Sequence, residues 1–245
     1  MFQPSVADGV HRIEHAYTNL FVIEADGALT IVDAGVPPSW HVLEEAVRRL
    51  GRGLGDIAAV VLTHAHFDHI GFAERARTQL GVPVWVHEDD VPLTRKPLQY
   101  ARMRSPLRYL TNRGALPVFA ALARTRALFP PPIREVRRFV AGTLDVPGSP
   151  RVVRTPGHTL GHCALHLPDR DALVAGDAVV TLDPYTGRRG PRLVARAATA
   201  DPERALAALD ALAETGARTV LCGHGGPWHD GAEAIVARAR ANGMA

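Results

Sequence analysis

Residues 60–72 read VVLTHAHFDHIGF. The apolar run Val60-Val61-Leu62 has the character of a buried strand. Directly behind it stand His64, His66, Asp68 and His69, four metal-capable side chains within six residues. Burying such groups is costly unless something pairs with them. A cation is the partner that imidazole and carboxylate have in common.

Three later stretches repeat the arrangement. RVVRTPGH puts His158 behind a strand and a Thr-Pro-Gly turn, ALVAGD puts Asp177 at the end of an apolar strand, and TVLCGHGGP puts His224 directly after another. Strand ends are rigid, so four of them can deliver side chains to one edge of a sheet. Seven such groups are too many for one tetrahedral ion and suit two divalent ions side by side. Zinc is the first expectation, and iron or manganese would accept the same donors. No cysteine belongs to the set and the groups lie in loops, which favours catalysis over a closed structural site.

Around these motifs the chain alternates strand-like and helix-like stretches. VHRIEH, TNLFVIEA and ALTIVDAG read as strands, the last two joined by an Asp26-Gly27 hairpin turn. A helix is expected over 39–50, with Ser39 as N-cap and Gly51 just past its end. Strand 58–62, the His-rich loop, helix 70–80 and strand 82–86 follow. Prolines 92, 97, 106, 117 and 130–132 then punctuate a segment, 88–140, with short helical pieces at 98–104 and 115–128. It reads as a helical insertion covering the site within one domain spanning 1–245. Strands resume at 151–155, 162–167 and 171–176. A helix opens at Pro202 with Asp201 as N-cap, strand 218–222 follows, and a last helix covers 230–241. Two similar strand-rich halves imply an α/β fold of two facing sheets sandwiched by helices.

Composition bounds the rest. With 245 residues, 47% of them hydrophobic, the chain can bury a large core. No uncharged apolar stretch reaches the length of a membrane span, and the N-terminus shows no secretory pattern. Cys163 and Cys222 are the only cysteines, which gives no disulfide framework and no CxxC knuckle; both are expected to be small buried side chains in a reducing cytoplasm. Net charge is +3, and Lys96 is the only lysine. Between Val91 and Arg138 there are eleven basic residues and one acid, Glu135, the one compositional hint of an anionic ligand.

HAHFDH (64–69), TPGHTLGH (155–162), AGD (175–177) and CGH (222–224), with VDAG (32–35), resemble in order the metallo-β-lactamase fold superfamily. The resemblance spans the chain apart from the insertion. It implies an αββα four-layer sandwich with a dinuclear site in a cleft at the sheet edges. On it, His64, His66 and His158 would bind one ion, Asp68, His69 and His224 the other, and Asp177 would bridge them. His162 and Asp33 would orient ligands through hydrogen bonds.

Within that superfamily, β-lactamases lack the bridging aspartate, so Asp177 argues against antibiotic hydrolysis. Diiron flavoproteins carry a glutamate at the second histidine of the motif, and here it is His66. Lactonases place a tyrosine a few residues after the bridging aspartate; here Val180 stands there and the first tyrosine is Tyr185. Glyoxalase II enzymes append a helical domain, whereas here about twenty residues follow His224, leaving the insertion to cover the substrate. The DPYTGRRGP loop resembles that of generic bacterial metallo-hydrolases.

The reaction so implied is hydrolysis of an ester, thioester or lactone of a small molecule. Two ions about 3.5–4 Å apart bring a bridging water toward a pKa of about 7, giving hydroxide near neutral pH. Asp68 would hold that nucleophile. Tyr185 and, for an anionic substrate, Arg102, Arg104 or Arg108 would contact the substrate. Competing readings are a nuclease or phosphodiesterase of the same fold, a mononuclear-iron persulfide dioxygenase, and a non-enzymatic binding protein. No extended arm or extra domain accompanies the motifs, which disfavours nucleic acid.

Overall fold

The computed structural model describes residues 1–245. Seven strands form the first sheet: β1 (Phe2–Ala7), β2 (Val10–His15), β3 (Thr18–Ala25), β4 (Ala28–Val32), β5 (Ile57–Val61), β6 (Val84–His87) and β7 (Arg137–Phe139), side by side in that order. The first four pair antiparallel through tight turns, and β4 to β7 pair parallel. The second half contributes β8 (Arg151–Arg154), β9 (Cys163–Leu167), β10 (Ala172–Gly176), β11 (Val180–Leu182), β12 (Arg189–Arg192) and β13 (Thr219–Cys222). Its sheet runs β13-β10-β9-β8, while β11 and β12 make a separate hairpin.

The period of two along each strand builds the layers. Leu20 and Val22 face outward onto α1 (Ser39–Arg49) and α2 (Ala73–Leu80), packing with Trp40, Leu43 and Ala76. Phe21 and Ile23, their neighbours on β3, face inward and meet Leu165 and Val174 of the second sheet. That sheet's outer face, with Leu173 and Val220, is covered by Leu209 and Ile235. The insertion carries α3 (Val91–Arg95) and α4 (Leu116–Arg124), and the covering residues come from α5 (Pro202–Ala213) and α6 (Ala232–Asn242). The result is the αββα sandwich. Each fully buried Leu, Ile or Phe in these layers contributes about 1.5–3 kcal/mol.

Several expectations change. The piece 98–104 is not helical: the stretch between Pro97 and Pro106 is too short to hold a helix without packing, and Pro106 disfavours helical geometry at the residue before it. The 115–128 helix stops at Arg124, and Arg126 takes a left-handed φ of 50°. The 88–140 segment is not wholly an insertion, because β7 closes the edge of the first sheet against β6. Ser39 is the first helical residue rather than the cap; Pro38 holds that place, and Ser39 Oγ accepts the Val36 N–H at 3.1 Å. Two further elements, β1 and the β11–β12 hairpin, carry no clear pattern in the sequence. β1 is an edge strand, where Pro4 costs no ladder bond. At the other end of the chain, Asp201 does cap α5, its Oδ1 accepting the Arg204 N–H at 3.0 Å.

Candidate metal centre

β8, β10 and β13 run parallel to one another, so His158, Asp177 and His224 all follow the same end of the second sheet. The loop leaving β5 in the first sheet brings His64, His66, Asp68 and His69 to the same edge. The seven groups converge. Asp177 Oδ2 lies 3.2 Å from His224 Nε2, 3.4 Å from His158 Nε2 and 4.0 Å from His64 Nε2. Its Oδ1 lies 3.8 Å from His69 Nε2. Asp68 Oδ2 is 3.5 Å from His224 Nε2 and 3.9 Å from His69 Nε2. His64, His66 and His158 form one group with ligand atoms within 4.8 Å of one another, and Asp68, His69 and His224 form another. Asp177 sits between them. A Cβ on Gly223 would fall 2.1 Å from Asp177 Oδ1, so only glycine lets that loop pass.

The donors fit a pair of cations. Nε2 of His64, His66 and His69, both ring nitrogens of His158, and Asp177 Oδ1 are buried with no hydrogen-bond partner. Each unsatisfied buried group costs about 1–3 kcal/mol, so the cluster needs an occupant that accepts one imidazole lone pair from each histidine and the free lone pairs of Asp177.

Hydrogen bonds on the far side of the rings fix which nitrogen faces inward. His224 Nδ1 donates to the Tyr17 carbonyl at 2.8 Å, and His69 Nδ1 donates to Asp33 Oδ2 at 2.9 Å. Thr63 Oγ1 donates to Asp33 and therefore accepts from His64 Nδ1 at 3.0 Å. In all three the Nε2 lone pair is left pointing at the centre. Asp33 thus orients two imidazoles, and does so from a left-handed φ of 63°. His162 is no ligand: its Nε2 already accepts the Asp177 N–H at 3.0 Å, and its Nδ1 pairs with Thr155 Oγ1 at 2.7 Å.

Electrostatics in the metal-free chain follow from burial and crowding. Burial, reinforced by neighbouring imidazoles, holds His64 and His158 well below the usual histidine range. Burial lowers His66 to about 4 despite Asp68 and Asp177 nearby. For His69 burial again opposes the charge, but Asp177, Asp68 and Asp33 together raise it to about 10. Asp177 remains ionised: burial opposes its charge, but the imidazoles of His224 and His69 outweigh that desolvation.

Two residues that the sequence pattern does not single out hold the centre together. Asp90 is fully buried; its Oδ2 accepts from Ala65 N and Thr159 Oγ1, and its Oδ1 from Gly161 N, all within 2.8–2.9 Å. One carboxylate thereby ties the 64–69 loop to the 155–162 loop. It follows β6, so the strand-end rule that finds Asp177 could have found it too. Asn19 Nδ2 donates to the Cys222 and Gly225 carbonyls at 2.7 and 2.8 Å, clamping the turn that carries His224. His87 does not approach the cleft; it is buried against Arg154 and caps the turn after β6.

Comparison with known proteins identifies the arrangement. The family model described as the metallo-beta-lactamase superfamily matches residues 15–224. The chain belongs to the metallo-beta-lactamase superfamily. Among its relatives is a probable metallo-hydrolase, YflN of Bacillus subtilis, 32% identical over 186 residues that cover 72% of this chain and 66% of that protein, just under two thirds of its length. A metallo-beta-lactamase family protein of Thermus thermophilus, TTHA1429, superposes with a TM-score of 0.67 at 29% identity, over 96% of this chain and 78% of its own. TTHA1623, solved in a di-iron-bound form, gives a TM-score of 0.63 at 26% identity, covering 91% of this chain and 95% of its own.

In this member of the superfamily the candidate centre forms the floor of a cavity of about 520 Å³. Segment 98–128 supplies one wall, with Leu98, Tyr100, Leu107, Leu110, Phe119 and Leu128. Tyr185 lines it as well. Its hydroxyl lies 3.4 Å from that of Tyr100, and burial keeps its phenol well above the usual range. The Tyr100 ring rests 4.4 Å from the His66 ring, a contact no periodicity in its irregular segment could announce. Arg102 reaches the cavity with its guanidinium 5.6 Å over Tyr100, whereas Arg104 and Arg108 are exposed and do not line it. No helix is long and apolar enough to cross a membrane.

Proposed function

We propose that this chain is a dinuclear metal-dependent hydrolase, with zinc as the expected metal, that cleaves an ester, thioester or lactone bond of a small molecule. The observation that carries the reading is the pair of three-residue groups sharing Asp177, six of whose buried atoms lack any other partner. His64, His66 and His158 would hold one ion, Asp68, His69 and His224 the other, with Asp177 between. Bound there, the ions would supply a Lewis acid for the substrate carbonyl and lower the pKa of water toward neutrality.

The chain's own residues do the rest. Asp68, steadied by the Thr18 hydroxyl at 3.4 Å, accepts a hydrogen bond from the attacking water and keeps it in line. Tyr185 is protonated near neutral pH, as a phenol ordinarily is and as burial further ensures, so its hydroxyl can donate to the substrate carbonyl or leaving oxygen. Residues 98–128 cover the cleft and exclude bulk water from the floor. The two buried free thiols fit a reducing, cytoplasmic setting.

The phosphodiesterase reading draws little support, since of the basic residues between 91 and 138 Arg102 alone lines the cavity. The test is a panel of ester, thioester, lactone and phosphodiester substrates, run with the chain as purified and after chelation. Ester, thioester or lactone turnover that is lost on chelation and regained with zinc is expected. Turnover confined to phosphodiesters, or oxygen uptake with a persulfide and a single iron, would overturn the proposal.

A further inference from the structure

We infer, on the reading that this centre hydrolyses an acyl bond, that its substrate carries a medium-length apolar acyl chain housed beneath the 98–128 roof. Eleven large hydrophobic side chains are exposed in the whole molecule, and seven of them fall between Leu98 and Phe129. Four of the seven line the cavity over the metal centre: Leu98, Leu107, Leu110 and Leu128, at 45%, 71%, 52% and 48% exposure. Scattered exposed leucines need no explanation, but four turned onto one cavity do.

The cavity is divided chemically. Its polar groups gather at the floor, with His66, Asp68, His158, Asp177 and His224, and the Tyr100 and Tyr185 hydroxyls stand beside them. Beyond them the wall is aliphatic and aromatic, and Arg102 is the only charge the roof contributes. A sugar or nucleotide would need donors and acceptors along its length, and this wall withholds them. An alkyl chain needs none, and gains by covering leucines that water now touches. Such a ligand is amphipathic, with its carbonyl at the metal floor and its chain under the roof. The space is continuous with the centre, so the group that fills it belongs to the substrate.

The experiment uses the full metal-loaded chain and p-nitrophenyl esters from acetyl to dodecanoyl. In parallel, acetate, hexanoate and decanoate are titrated calorimetrically into the metal-free chain. kcat/KM is expected to rise about fourfold per methylene, equivalent to about 0.8 kcal/mol each, until the cavity is full. Decanoate should bind and acetate should not. In a Leu107→Ser, Leu110→Ser double variant, both positions being exposed, the decanoyl-to-acetyl ratio should fall by about tenfold. A flat chain-length profile, with acetate and decanoate bound alike, would overturn the inference while leaving the hydrolase reading standing. Chain-length-dependent binding without metal-dependent turnover of any ester would support the apolar site and overturn the hydrolase reading instead.

Discussion

On the floor of the cavity Asp177 is 3% exposed and His64 is fully buried, and side chains from Asp33 to Asn19 brace the loops that carry the ligand groups. On the roof Leu107 is 71% exposed, and the backbone from Pro97 to Ser105 forms no helix or strand. The floor is held by directional bonds in a low-dielectric setting, where losing one partner strands another. The roof is pinned at a few points, such as the Met103 N–H on the Arg196 carbonyl and the Tyr109 hydroxyl on the Ala245 carbonyl. Its cavity-facing leucines make only nondirectional apolar contact, so they can be changed piecemeal. On the proposed function, chemistry that tolerates no displacement would sit on the first, and substrate selection on the second.

Floor variants should accordingly fail abruptly. Replacing Asp177 (Asp177→Ala) removes the carboxylate between the two three-residue groups proposed to hold metal. Turnover should drop about 10³-fold or more, the loss of several kcal/mol of transition-state stabilisation. Circular dichroism of the metal-free chain should stay close to wild type, because no backbone N–H donates to the lost carboxylate. Its melting temperature should fall near neutral pH as the buried His69 and His224 lose their counter-charge. Activity within tenfold of wild type would remove the distinction between floor and roof.

Asp90→Ala tests the same floor through its bracing. Three donors, Ala65 N, Gly161 N and Thr159 Oγ1, would lose their acceptor, at a cost of about 2–4 kcal/mol in denaturant unfolding. Metal occupancy should fall alongside, since the two histidine loops are no longer tied. Asp90→Asn keeps an oxygen acceptor and should recover part of both. A stability change without loss of metal affinity would make Asp90 a structural residue only.

The smallest effect belongs to the roof. Arg102→Gln should lower the preference for an anionic over a neutral ester of one acyl group by a few fold, and in wild type that preference should fade with salt. Equal selectivity in both proteins would leave Arg102 a surface residue resting on Tyr100.

What the sequence discloses divides along the same line. His64 to His69, His158, Asp177 and His224 are legible because polar groups at buried strand ends violate an otherwise apolar pattern. The sandwich is legible because residues such as Phe21 and Leu20 alternate between two cores. Asn19 is not, as its importance lies in long-range bonds to a turn that only the fold brings near. Asp90, although it follows β6, is not told apart from Glu88 and Asp89 beside it until its bonds to the two loops are seen. Tyr100 escapes notice, and 98–104 reads as helix, because a short proline-bounded piece has no period of its own. β7 disappears into the insertion for a related reason: three residues rich in arginine at a sheet edge look like loop.

The central claim is that the seven converging groups hold two ions, and metal analysis of the chain purified without chelators tests it most directly. Elemental quantification against protein concentration should give two divalent ions per chain, falling to one or none in Asp177→Ala. A wild-type stoichiometry of one that stays at one when zinc is supplied in excess would contradict the account.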